Sequence, residues 1–262
     1  MNQFPGDVPT TEVHGGGSDK DRAMWTEMDA LLAEHPHSPF HILTQWPAYT
    51  RRVNVMRFLA HFKLFERVIE LPGDIVEMGV SRGVSFFSWH KFIEIFNPCD
   101  TSRKIIGFDS FEGLSDFSEE DGRLDPNVGK HTGGWSADSA KQEVYRLKDF
   151  HNKDNVLAKE RLVLVEGRVQ DTLPAFLEAR PGMRISLLHF DLDLYEPTLF
   201  ALERLWDLVV PGGVVIFDEY ALPPWGGETR ALEVFFQKRN ITGLTLNKFP
   251  WALTPNGFLV KP

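Results

Sequence analysis

The chain has 262 residues, 42% of them hydrophobic, a formal net charge of −9 and a single cysteine, Cys99. That length supports one large α/β domain with a substantial core, and the acidic balance without any Lys/Arg run argues against a nucleic-acid partner. A lone cysteine, no zinc-like Cys/His spacing, no signal pattern and no uninterrupted apolar span together predict a soluble, cytoplasmic protein that works away from membranes.

Residues 1–20 are polar, include Gly15-Gly16-Gly17-Ser18 and lack periodicity, so disorder is expected there. Residues 21–71 read as a helical extension: apolar residues recur at helical spacing over Ala23–Glu34 and Arg52–Glu70, as in Val55, Phe58, Leu59, Phe62 and Phe65. From Pro72-Gly73 onward, short apolar runs alternate with amphipathic segments, the pattern of a parallel sheet wrapped by helices. The predicted strands are Asp74–Val80, Lys104–Phe108, Leu162–Val165, Ile185–Phe190 and Val214–Phe217. The predicted helices are Val84–Phe96, Ser139–Phe150, Leu173–Glu178, Glu196–Val209 and Thr229–Lys238, with Ser139-Ala140-Lys141-Gln142 as a capping box. Leu244–Phe249 and Gly257–Val260 lie too close together for an intervening helix and predict a closing antiparallel hairpin. The acidic stretch Ser115–Gly134 is a long loop, and loops of that length in compact domains are usually functional or mobile. Residues 72–262 are thus one doubly wound α/β domain.

Ligands of such sheets bind beyond the carboxyl ends of the strands. The first strand ends in Glu77-Met78-Gly79-Val80-Ser81-Arg82-Gly83, where Gly79 and Gly83 permit a tight turn and close approach to a ligand. Two glycines at a turn also serve plain packing. Ser81 and Val84 break the Gly-x-Gly-x-x-Gly fingerprint, which disfavours a pyrophosphate cradle. The second strand ends in Asp109-Ser110-Phe111, with Asp109 placed to accept from ribose hydroxyls or, more simply, to form a turn. Gly167 and Asp171-Thr172 offer a rim for an adenine ring, or a helix cap.

Asp191, Asp193, Asp218 and Glu219 converge on the ends of the fourth and fifth strands. Acids at the ends of apolar strands are costly unless paired or bound to a cation, so Mg²⁺ held by Asp191, Asp218 and Glu219 is expected. If the extended conformation continues, Asp193 shares a side with Asp191 and can accept a proton as general base. The alternative is a structural network in which these acids cap helices or pair with Arg168 and Arg230. Among the histidines, His90 falls on a core-facing helix and His131 in the long loop, where Trp135 could stack on a substrate ring or cover the core.

Taken together, Val76–Gly83, Phe108–Leu114, Asp171–Pro174, Asp191–Thr198 and Pro211-Gly212-Gly213 through Asp218-Glu219-Tyr220 resemble the macrocin O-methyltransferases (TylF-like), over about Pro72–Phe236. The resemblance implies a three-layer class I methyltransferase fold and S-adenosylmethionine as cofactor. It implies cofactor contacts from Glu77 (to the amino-acid part), Gly79, Val80, Ser81, Gly83, Asp109, Ser110, Phe111, Gly167, Asp171, Thr172 and Asp191. It places a divalent metal on Asp191, Asp218 and Glu219, with Asp191 and Asp193 catalytic. The acceptor is expected to be a hydroxyl of a sugar, glycosylated or nucleotide-linked, in natural-product biosynthesis. The N-terminal helices match the family's lid in position, with Tyr49, Arg51 and Arg52 available, and Tyr195 and Arg230 are further substrate candidates. A homo-oligomer is expected. The chain departs from the family at Glu219, where Asp is usual, and at Leu192, where Gly is common. Three alternatives stand beside this reading: a phenolic or catechol-like acceptor, a nicotinamide-dependent oxidoreductase, and a non-catalytic nucleotide-binding protein of the same fold.

Overall fold

A computed structural model describes residues 19–157 and 159–262. The disorder expected for residues 1–20 concerns residues 1–18 outside this range, while Asp19 already begins a helix. Among the described residues, four helices precede the sheet: α1 (Asp19–Glu34), α2 (Pro39–Thr44), α3 (Trp46–Tyr49) and α4 (Arg52–Phe65). Then β1 (Asp74–Met78), α5 (Val84–Phe96), β2 (Ile105–Asp109), α6 (Asp138–Lys153), β3 (Leu162–Glu166) and α7 (Val169–Glu178) follow. The chain finishes with β4 (Ile185–Phe190), α8 (Tyr195–Leu205), β5 (Val209–Phe217), α9 (Gly226–Arg239) and β6 (Gly257–Val260).

The six strands form one sheet in the order β3-β2-β1-β4-β5-β6, parallel except for β6. Its strands are nearly continuous apolar runs because both faces are covered; all six residues of β4 are buried. One apolar cluster packs α7, α8 and α9 against one face, and a second packs α4 and α5 against the other. The strand order reverses beside β1, whose neighbours are β2 and β4. This is the switch point at which a doubly wound sheet opens a crevice.

Several expected boundaries move. The helix predicted to Glu70 ends at Phe65 and continues as turns. Helix α8 stops at Leu205, and Val209, expected to end that helix, begins β5 by pairing with Ile185. The predicted capping box is not used: α6 starts at Asp138 after Ala137, which places Ser139 inside the helix. The antiparallel strand Gly257–Val260 is present, but its partner is β5. Leu244–Phe249 contributes only one bridge, Asn247 to Phe258. No helix among the described residues is long and apolar enough to cross a membrane.

Candidate active site

The crevice is set by a close approach of two strand ends. Gly79 follows β1 at φ +91°, and a Cβ there would lie 1.9 Å from the Asp191 carbonyl oxygen. Asp191 N–H in turn donates to the Met78 carbonyl at 2.8 Å. A side chain at position 79 would therefore push β4 and its first acid out of place.

Asp109, at the end of β2, holds the loop after β1. Its Oδ2 accepts from the backbone N–H groups of Val80 (2.7 Å) and Ser81 (2.6 Å), and Oδ1 accepts from Phe111 N–H at 2.6 Å. These bonds fix Ser81 at φ +49° and Phe111 at φ +61°, conformations that non-glycine residues adopt rarely. Asp109 stays half-buried at the crevice with acceptor capacity left for a hydroxyl. Phe111 is buried in the core.

Glu77, expected at the cofactor, places its side chain in the core. Its side chain is fully buried, accepting from Ser85 Oγ (2.9 Å) and Trp89 Nε1 (2.6 Å), with His189 Nδ1 at 3.4 Å. Position 77 faces inward along β1, so its carboxylate ties α5 and β4 to the sheet. Thr172 donates its hydroxyl to the Arg168 carbonyl at 2.9 Å, and exposed Asp171 lies in the first turn of α7, both as helix-start residues.

The acids at the ends of β4 and β5 split into two groups. Asp191, Asp193 and Glu219 each place one oxygen within 4.8 Å of the others. The extended conformation does not reach Asp193: β4 ends at Phe190, and Asp193 sits at φ +62° in a tight turn closed by Leu194 N–H to the Leu192 carbonyl at 2.7 Å. The turn, not strand alternation, brings Asp193 beside Asp191. Asp218, the remaining acid of the expected Asp191, Asp218 and Glu219 set, turns its two oxygens to other partners. Oδ2 accepts from Arg57 Nη1 at 2.7 Å, and Oδ1 lies 3.2 Å from His189 Nε2. Arg57 Nη2 also reaches Asp191 Oδ2 at 2.9 Å.

The charges follow from this packing. Burial alone would raise Asp218, but the Arg57 guanidinium and His189 hold it well below the usual carboxylate range. His189, against the effect of burial, is raised to about 9 by its contacts with Asp218 and Glu77. Burial first, and then Asp218, pushes Asp191 up to about 7. Burial and neighbouring acids likewise raise Asp193 and Glu219 well above the ordinary range.

Sequence reading missed Arg57, His61, His189 and Glu228. Arg57, His61 and Leu64 are spaced at i, i+4 and i+7 on α4, and a charged and a polar residue on an otherwise apolar stripe is a readable signal. Glu228, wholly buried at the start of α9, accepts from Glu219 N–H at 3.1 Å.

The remaining substrate candidates make contacts of their own. Tyr195 is buried in the core and Trp135 packs with Leu114, Leu194 and Trp225 in a small cluster under the loop. Arg230 is exposed and pairs with Glu233 at 3.5 Å. His131 contacts the Thr132 carbonyl at 3.0 Å. Tyr49 lies against His37 and His41, and Arg52 is the exposed first residue of α4.

The family model of macrocin O-methyltransferase (TylF) matches residues 44–251. The chain belongs to this family. It is 31% identical over 182 residues to the demethyldecarbamoylnovobiocin O-methyltransferase of Streptomyces niveus, covering 68% of this chain and 66% of that one. It is also 31% identical over 152 residues to the 8-demethyl-8-(2,3-dimethoxy-alpha-L-rhamnosyl)-tetracenomycin-C 4'-O-methyltransferase of Streptomyces olivaceus, covering 58% and 54%. The matched stretch thus spans about half to two thirds of these curated relatives. Among solved structures, a calicheamicin methyltransferase matches at TM-score 0.85 and 26% identity over 98% of this chain and 99% of that one. A second structure, of the apo TDP-rhamnose 3'-O-methyltransferase of calicheamicin biosynthesis, matches at TM-score 0.75 and 28% identity over 93% and 95%. The macrocin O-methyltransferase family membership and the six-stranded sheet agree on a class I methyltransferase fold.

Proposed function

We propose that this chain transfers a methyl group from S-adenosylmethionine to a hydroxyl oxygen of a sugar, glycosylated or nucleotide-linked, in natural-product biosynthesis. The observation that carries the reading is the meeting of Asp191, Asp193 and Glu219 oxygens at the strand ends of a macrocin-family chain. Rhamnose appears in the names of two relatives, which supports a deoxysugar as acceptor.

The donor occupies the crevice between β1 and β4. Asp109 orders the Val80–Gly83 loop there and offers its remaining lone-pair capacity to the ribose. The acceptor hydroxyl faces the acids. As its oxygen forms a bond to the methyl carbon, the carbon–sulfur bond breaks, S-adenosylhomocysteine leaves, and the hydroxyl proton passes to Asp193. Asp193 suits that role because its turn sets a carboxylate oxygen within 4.8 Å of those of Asp191 and Glu219, where the acceptor hydroxyl faces.

The donors also fit a hard divalent cation. Three carboxylates offer one oxygen each within 4.8 Å, and Glu219 Oε2 is buried without a hydrogen-bond partner. Asp191 and Glu219 would hold Mg²⁺ with Asp193 beside them free to take the proton, the longer Glu219 side chain reaching the cluster while Asp218 serves Arg57 and His189. A bound ion lowers the pKa of the acceptor hydroxyl. Cytoplasmic location and a homo-oligomeric state accompany this reading.

Incubation with methyl-labelled S-adenosylmethionine and a set of glycosides and nucleotide-linked deoxysugars, TDP-rhamnose included, tests it. Label should enter the sugar with equimolar S-adenosylhomocysteine formed. Label entering only catechols would move the acceptor to phenols, and no transfer to any acceptor would contradict the activity.

A further inference from the structure

The loop between β2 and α6 reaches to Tyr195, two residues beyond Asp193. Asp121, at the end of the 3₁₀ turn Glu119–Asp121, is only 2% exposed although it carries a carboxylate. Its Oδ2 accepts from Ser118 N–H and Ser118 Oγ, both at 2.8 Å, which closes its own turn. Its Oδ1 accepts from the backbone N–H of Tyr195 at 2.7 Å, the first residue of α8 and two residues beyond Asp193. Leu194, the N-cap residue, makes no side-chain cap, so a loop residue far away in sequence satisfies that orphan donor.

The surroundings are built around this contact. A Cβ at Gly227 would lie 2.0 Å from Asp121 Oδ1 and 2.7 Å from Tyr195 N, so only glycine leaves room for the bond. Lys130, 1% exposed, donates to the Asp121 carbonyl and, at 2.7 Å, to the Pro224 carbonyl, tying the loop to the start of α9. The turn being held is strained: Asp193 sits at φ +62°, and Leu194 N–H bonds to Leu192 only two residues back. Such a conformation persists only where the surroundings over-determine it.

We propose that Asp121 is a positioning residue for Asp193: by pinning the start of α8 it holds the turn that aims Asp193 at Asp191 and Glu219. The kinetic part of this inference rests on Asp193 being the proton acceptor. The hold on the turn does not.

Two readouts test it on Asp121→Ala and on Asp121→Asn, which keeps an oxygen for Tyr195 N–H. By hydrogen exchange, amides of Leu194–Leu199 should exchange about tenfold faster in Asp121→Ala, with β4 unchanged and Asp121→Asn nearer to wild type. Equal protection in all three proteins overturns the proposal. In methyl transfer, Asp121→Ala should lower kcat about tenfold or more while KM for the donor stays within about twofold. In an Asp193→Asn background the same substitution should have no further effect on kcat. An equal loss in both backgrounds means a purely structural role and overturns the positioning claim. If Asp193→Asn alone leaves kcat unchanged, the base assignment fails, and with it the kinetic claim, whereas the exchange result still decides the hold on the turn.

Discussion

Arg57 Nη1 lies 2.7 Å from Asp218 Oδ2, joining a helix that precedes the sheet to the end of its fifth strand. The same guanidinium bonds Asp191 at 2.9 Å and Thr254 Oγ1 at 2.7 Å, so it draws four separate segments together. Asp218 is fully buried, and removal of one partner from a buried pair leaves an uncompensated charge. Arg57→Met is expected to lower stability by about 3 kcal/mol in urea unfolding. A loss within about 0.5 kcal/mol, the range of ordinary surface substitutions, would show that the pair is not integral to the fold.

Gly79→Ala places a methyl group where the Asp191 carbonyl now sits, at a φ of +91° that alanine disfavours. Stability should fall on the order of 3 kcal/mol, and S-adenosylhomocysteine affinity should drop with it. Wild-type melting and wild-type binding would contradict the tight β1–β4 approach.

The two acid groups should separate by mutation. Asp191→Asn and Glu219→Gln are expected to weaken divalent-ion binding about tenfold or more by calorimetry, with modest changes in melting temperature. Asp218→Asn is expected to act chiefly on stability, because its oxygens face Arg57 and His189. If Asp218→Asn alone abolishes ion binding, the ligand set returns to Asp191, Asp218 and Glu219.

Stability should fall as pH rises from about 7 to 9. His189 has a folded pKa raised from 6.5 to about 9, so its contribution is complete below 6.5 and is lost as pH climbs through 9. Glu228, whose carboxyl is likewise raised by burial, acts in the same direction as it ionises. Melting temperatures across this range should show the fall in wild type and a shallower one in His189→Asn. A flat wild-type profile would mean that His189 is not held as a cation.

Much of this was legible in the residues. The alternation of apolar runs and amphipathic segments predicts the five parallel strands, and Val84–Phe96 and Ile185–Phe190 are read to the residue. Local pattern also finds Asp109 and the acids at the ends of β4 and β5. What it misses is tertiary. Glu77 looks like a ligand at a strand end, yet Ser85, Trp89 and His189 enclose it from α5 and β4. Asp193 is found by assuming an extended chain and is actually placed by a turn with positive φ. Arg57 is hidden because its partners lie 134 and 161 positions away. Val209 reads as a helix end because nothing local distinguishes it from the apolar face of α8. The hairpin partner of Gly257–Val260 is set by the open edge of β5, which the preceding residues do not encode.

The most direct test of methyl-donor chemistry is calorimetric titration of the purified chain with S-adenosylmethionine and S-adenosylhomocysteine, with and without Mg²⁺, alongside Asp109→Ala. Wild type should bind both at about micromolar strength, roughly −8 kcal/mol, and Asp109→Ala, which frees the Val80–Ser81 loop, should bind at least about tenfold more weakly. Binding of neither ligand by wild type under either condition would contradict the account.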